Sequence, residues 1–340
     1  MIWDLDNVAL LPDFDEFMGR IGRFCLALAG LILPGCRSDG GATAIKLGHG
    51  LDVTHAVHRA MEFMAGRVDE LSEGRLQIDI YPNEQLGTER QLLELLQIGS
   101  VGMTKVSAAV LENFAPTFQV LSLPYIFRDE DHHFEVLDGP IGDELLLGLE
   151  PYRLRGLTFY DAGSRSFYTK DTPITRPEDL NGLKIRTQES AMALDLVRRL
   201  GGSPTPIAWG ELYSALQQGI VDGAENNAPS FYLSGHFEIA RFYSLNEHTR
   251  VPDVLLISTT VWNALTAQEH DWLLEAVHES TARQRVLWKE SVDEALSAVR
   301  AAGVEVDRPD QGPFADRVES MYDAFRDDGA LYDLIQRIRR

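Results

Sequence analysis

The chain is poor in cysteine, short of positive charge, and without an apolar run long enough to cross a bilayer. Its 340 residues hold two cysteines, Cys25 and Cys36. Beyond residue 36 there is none, which excludes disulfides, thiolate metal sites and cysteine nucleophiles from that part. A chain of this length buries a full core without such staples. The apolar stretch at residues 24–33 is the longest, and it is far short of the roughly 20 residues a membrane span needs. Also missing are a Gly-x-Ser-x-Gly elbow, a P-loop, Gly-x-Gly-x-x-Gly and His-Glu-x-x-His. No cofactor is therefore expected. Acids are plentiful enough that counting leaves a glycosidase-like carboxylate pair open, but nothing marks one pair out. Lys and Arg number 31 against 52 Asp and Glu, a net charge of −21. Such a surface repels nucleic acid and anionic lipid, so no nucleic-acid partner is expected. An acidic protein that binds an anion must gather positive charge locally. Individual arginines in unusual settings are then the residues to follow.

The N-terminus reads as an export signal. Arg20 and Arg23 precede the apolar run Phe24-Cys-Leu-Ala-Leu-Ala-Gly-Leu-Ile-Leu33, a positive flank followed by a short apolar core. Leu33-Pro-Gly-Cys36 resembles a lipobox, with Pro34 unusual at its place. On that reading Cys36 is lipidated and becomes the first residue of a membrane-anchored chain; the alternative is an ordinary signal with a chance cysteine. Residues 1–17 are acidic, which suits no signal, and Met18 opens a better one with Met18-Gly-Arg-Ile-Gly-Arg23. Translation is expected to start at Met18; N-terminal sequencing of the precursor tests this, and peptides from residues 1–17 would contradict it. Residues 37–43 read as a flexible tether.

From Ile45 the patterns alternate between strand and helix. Ile45–Leu47, Leu76–Tyr81 and Val101–Val106 read as strands, with helices over Thr54–Leu71 and Thr88–Ile98 between them. The rhythm restarts near residue 156, with extended stretches at Leu157–Tyr160, Arg165–Thr169, Leu183–Arg186, Val221–Ala224 and Val254–Ser258. Helices fall around Ala193–Leu200 and over Trp209–Gln218. Thr266-Ala-Gln-Glu269 is a capping box opening a long helix to about Ala302. This predicts an α/β chain of two lobes, each with a mainly parallel sheet, and a ligand cleft outside the carboxyl ends of the strands. We place lobe I at 44–162 plus about 251–291, and lobe II at 163–250 plus about 292–340.

Several residues could carry binding chemistry. Arg186 ends a strand, and an arginine fork suits a carboxylate; equally it could be a surface arginine paired with an acid. Arg165 lies where the chain first crosses between lobes, and could reach the cleft or brace the crossing. Trp209 precedes a helix and could stack on a sugar face, though such a tryptophan is more often core. Asn226 follows a strand, and its amide suits a hydroxylated solute or a helix cap. Lys105 interrupts an apolar strand and needs an anionic partner, ligand or protein. Glu89 opens a helix, where dipole charge is its default role. His49, His55 and His58 fall close together, which raises a zinc site. No cysteine or His-Glu-x-x-His pattern supports one, so no metal is expected; His49 could face the cleft alone.

The ordered set Gly74–Pro82, Gln85-Leu-Gly-Thr-Glu-Arg90, Leu123-Pro-Tyr-Ile-Phe127, Leu180-Asn-Gly-Leu-Lys-Ile-Arg186 and Gln217–Asn226 resembles the solute-binding proteins of TRAP (tripartite ATP-independent periplasmic) transporters. The similarity runs from about Ile45 to Arg326. It implies a two-lobed periplasmic-binding-protein-like fold with a long helix spanning both lobes. It implies that Arg186 matches the main carboxylate-binding arginine, Arg165 a second one, Asn226 an asparagine fixing the carboxylate, and Trp209 an aromatic against the ligand. His49, Glu89 and Lys105 match segments lining the cleft from the first lobe. Gly223–Phe231 and Tyr243–His248 look most like members that bind sugar acids, glucuronate or galacturonate first, then C4-dicarboxylates and 2-hydroxy or 2-oxo acids. The resemblance implies a non-enzymatic carrier outside the cytoplasm that delivers its solute to the small and large membrane subunits of a permease. An acidic-sugar-modifying enzyme and a ligand-sensing module are the rival classes.

Overall fold

The structure, a computed structural model, describes residues 42–340. The leader, Met18, Cys36 and most of the tether lie outside them. Eleven strands form two sheets among the described residues. They are β1 (Thr43–Gly48), β2 (Leu76–Tyr81), β3 (Met103–Ser107), β4 (Leu154–Tyr160), β5 (Arg165–Thr169), β6 (Lys184–Thr187), β7 (Ser203–Pro206), β8 (Gly223–Asn226), β9 (Phe242–Thr249), β10 (Asp253–Ser258) and β11 (Glu305–Asp307). The first sheet has the order β2-β1-β3-β10-β4 and the second β11-β9-β5-β8-β6-β7.

The expected parallel core is there, but each sheet is mixed. β1 pairs parallel with β2 and β3, and β6 with β7 and β8. β10 runs antiparallel to β3 and β4, and β5 antiparallel to β8 and β9. The reason is connectivity. A parallel neighbour needs a crossover of a dozen or more residues. The chain instead passes from β4 to β5, and from β9 to β10, in a few residues and changes sheet each time. A strand that enters a sheet by changing sheets carries no helix to turn it parallel. β9 was not anticipated, and the helix expected over Trp209–Gln218 is a 3₁₀ turn, Trp209–Glu211, followed by a short helix, Leu212–Gln217.

The helix Ala56–Ser72 shows how a sequence pattern becomes packing. Val57, Ala60, Met61, Met64 and Val68 share one face at helical spacing and are all buried. The helix Ala191–Leu200 starts on a Ser190 side-chain cap and stops on Gly201 in the left-handed region. The long helix Ala267–Ala301 opens on the expected capping box, Thr266 with Glu269. Its Leu273, Ala276, Val277 and Leu287 enter a core with β1, β2 and Ala56–Ser72. Its Ala295 and Val299 enter another with Tyr168, Phe231 and Tyr243. Gln284 of the same helix bonds both backbone groups of Asp161 at the first crossing between sheets. Gly163 there has φ +59° with Trp288 close by, so a side chain would meet both strain and steric contact.

Candidate functional site

The carboxyl ends of the parallel strands of both sheets converge on one cavity. Its non-atom space, solvent at the mouth included, is ≈ 720 Å³. From the first sheet come His55, Glu84, Glu89, Lys105 and Asp253; from the second come Arg165, Arg186, Trp209 and Asn226. Weak hydrogen bonds cross between the two sides around it. Gly210 N donates to Glu84 Oε1 at 3.3 Å, and His55 Nε2 lies 3.4 Å from Ser230 Oγ. Gly210 permits the first contact, because a Cβ there would lie 2.4 Å from Glu84 Oε2.

The two arginines differ sharply. Arg165 is fully engaged. Its Nε and Nη2 fork onto the Glu225 carboxylate at 2.5 and 2.9 Å, Nη2 also reaches Glu225 O at 2.9 Å, and Nη1 donates to Asn226 Oδ1 at 2.8 Å. Burial alone would raise the Glu225 carboxyl, but Arg165 and His248 outweigh it and hold it at about 2. Arg186, 3 % exposed, donates through Nε to Ile207 O at 2.9 Å, and its Nη1 is buried with no partner. Burial lowers its pKa below the ordinary value, yet a guanidinium stays charged at neutral pH. A buried cation without an anion is costly. Among the described residues Arg186 has no ion pair; it lines the cavity, and its Nη1 is left without a partner. Its Cζ lies 5.8 Å from the Trp209 ring centroid.

The other expected residues divide. Trp209 is only half-buried and lines the cavity with Asn226, Glu89 and Lys105. Asn226 Oδ1 accepts from Arg165 and from Asn227 N, so the Nδ2 donor is what Asn226 can offer. Lys105 finds protein partners: Nζ donates to Glu89 Oε1 and Asp253 Oδ1, each at 3.1 Å. Burial disfavours its charge, but the two carboxylates more than offset that, so Lys105 stays protonated. Glu89 Oε1 also accepts from Ser107 N at 3.2 Å. Its role is therefore larger than dipole charge.

His49 does not line the cavity. Its Nδ1 accepts from Leu51 N at 3.1 Å, and its Nε2 lies 2.9 Å from His58 Nδ1. With both ring nitrogens taken, the ring is turned inward and completely buried; burial and the Lys105 charge push its pKa down to about 2. His55, which the sequence offered only as part of a zinc cluster, is the histidine in the wall. It caps Ala56–Ser72 by accepting from Val57 N through Nδ1. That fixes the neutral Nε2–H tautomer, and burial lowers its pKa to about 3. Among the described residues no group of three His, Cys, Asp or Glu is placed to hold a metal. Sequence reasoning also missed Asp253, Glu84 and Glu225. Asp253 was traceable: it heads the apolar strand beside Lys105, which needed an acid.

Residues 47–328 match the bacterial extracellular solute-binding proteins, family 7 (DctP). The chain belongs to this family. It is 36% identical over 301 residues to the Salmonella typhimurium protein YiiZ, covering 88% of this chain and 92% of that one. A TRAP periplasmic solute-binding protein from a Bradyrhizobium, solved with galacturonate, matches with TM-score 0.85 and 39% identity over 87% of this chain and 99% of its own. One from Anaerococcus prevotii, solved with glucuronate, matches with TM-score 0.84 and 35% identity over 87% and 98%. The two-lobed fold of this solute-binding protein follows from those matches, and the cavity lies where its two sheets meet. Among its described residues no helix is long and apolar enough to cross a membrane.

Proposed function

We propose that this solute-binding protein captures a hexuronate such as glucuronate or galacturonate, without transforming it, and delivers it to the small and large membrane subunits of a TRAP permease. The observation that carries the reading is Arg186, a buried guanidinium of a cavity-lining residue whose Nη1 has no partner and which forms no ion pair among the described residues. The ligand carboxylate takes that guanidinium bidentately. Asn226 Nδ2 adds a donor, and Arg165, held by Glu225, fixes the carboxamide that presents it. Trp209 offers its face to the sugar ring. Ring hydroxyls find acceptors in Glu89, Asp253 and Glu84, and a neutral donor in His55. The bound uronates of the Bradyrhizobium and Anaerococcus proteins support this choice of solute.

Each charge-assisted bond contributes about 1.5–3 kcal/mol, so Arg186→Ala, which removes two of them, should weaken uronate binding by at least roughly 10-fold, and about 100-fold or more if both bonds count in full. Calorimetry with pure protein tests it, and unchanged affinity overturns the assignment. Release of product from a uronate would instead favour the enzyme class. The same proposal places the protein outside the cytoplasm, tethered by lipid on Cys36. Complete release by osmotic shock, without detergent, would overturn the tether.

A further inference from the structure

The cavity holds three cations, Lys105, Arg165 and Arg186. Two are already spent. Arg165 is forked onto Glu225, and Lys105 lies between Glu89 and Asp253, one ammonium for two carboxylates. Glu84 and Glu189 complete the acids of the wall. Neither has an ion pair among the described residues; Glu84 accepts only the Gly210 amide. With Arg186 set aside, the four carboxylates of the wall, together with Glu225, which pairs with Arg165 without lining the cavity, stand against two cations.

We infer that this site admits acids with one carboxylate and rejects those with two, including the aldarate that differs from a bound uronate only by oxidation at C1. The inference rests on the uronate reading for the pose, but its physics is charge stoichiometry. The first carboxylate neutralises Arg186. A second has no free cation and must enter a partly desolvated wall with surplus negative charge. At an effective dielectric of about 20, a like charge roughly 5 Å away costs enough to lower affinity about 100-fold or more. C1 as a hemiacetal carries no such charge and can donate its hydroxyl to the same carboxylates. Shape differs as well, because the uronate closes into a ring and the aldarate is an open chain; gluconate, an open-chain acid with one carboxylate, separates charge from shape when set against glucarate.

The test is calorimetry at pH 7 with matched pairs, glucuronate against glucarate and galacturonate against galactarate, with gluconate and succinate alongside. The wild-type protein should bind the better uronate at least about 100-fold more tightly than either aldarate or succinate. Glu84→Gln, Glu89→Gln and Asp253→Asn each remove one negative charge; the latter two still leave Lys105 one carboxylate, and thermal melts confirm folding. Each should narrow the gap several-fold, by weakening the monoacid or strengthening the diacid. A diacid within about 5-fold of the best monoacid, or a gap unchanged in all three variants, overturns the inference. Preference for gluconate over the uronates, with diacids rejected, supports the inference and overturns the uronate reading. A panel in which no monoacid binds overturns both.

Discussion

Replacing Glu225 by glutamine tests whether the site's electrostatics are as divided as its geometry. Arg165 and Glu225 are 5 % and 3 % exposed and share a two-bond fork. Glutamine keeps the volume but leaves a buried guanidinium without its counter-charge. Breaking a buried pair from one side costs about 3–5 kcal/mol. Unfolding entropy of about 2.1 cal/mol/K per residue, over roughly 300 residues, is about 0.6 kcal/mol/K. The melting temperature should therefore fall by about 5–8 °C at pH 7, read by calorimetry or circular dichroism. Replacing both partners with apolar residues of similar volume, Arg165→Met with Glu225→Leu, should recover most of that loss, since neither charge is then buried alone. A Glu225→Gln protein that melts within about 1 °C of wild type would show that Arg165 is compensated elsewhere. The contrast between a committed and an open arginine would then fail.

Two further outcomes follow from the same atoms. His49, His55, His133 and His236 are buried, with pKa values lowered by burial to about 2, 3, 3 and 3. An unfolded histidine takes up its proton near 6.5, so this stability is fully present above that pH and is lost as pH falls toward 3, at up to about 1.4 kcal/mol per unit for each. Asp161, raised by burial to about 6, acts in the opposite sense over part of the window, and the raised Glu84, Glu112 and Asp253 act with it, while His248, also lowered by burial, adds to the four histidines. The melting temperature should drop between pH 7 and 5, and a flat or rising profile would contradict the neutral histidines. Gly210→Ala should displace the Glu84 carboxylate, whose rim bond contributes about 0.5–1.5 kcal/mol, and weaken ligand binding about 2- to 12-fold. In a Glu84→Ala background the same change should do nothing more; additive losses would mean that the two residues do not act together.

The elements that stood out in the sequence were those whose signal is local. The Thr266-to-Glu269 capping box and the apolar face of Ala56–Ser72 depend on residues one turn apart, and both lie where the pattern placed them. The antiparallel placement of β5 and β10 depends on which sheet the chain enters after a short connection, and no local period records that. The same distinction separates the histidines. His49 follows a strand, as a cleft residue should, but whether it faces the cleft was decided by Leu51 N and by His58 nine residues away. His55 was hidden because its cap to Val57 N and its place in the wall arise from one rotamer.

The charged residues carry this further. From sequence, Arg165 and Arg186 are two strand-end arginines of similar promise, in a chain where acids outnumber bases 52 to 31. In such a chain most buried cations will find an acid, and Arg165 and Lys105 do. What sets Arg186 apart is that its strand, β6, lies between β7 and β8, so its guanidinium meets the Ile207 carbonyl and the Trp209 ring instead of a carboxylate. The acidic composition therefore sharpens the site. Each acid that neutralises another cation in the wall leaves Arg186 more nearly alone, and concentrates the demand for an anion at one edge of one side chain. A ligand's single carboxylate meets that demand in full, and a second would meet only the acids that made Arg186 stand alone.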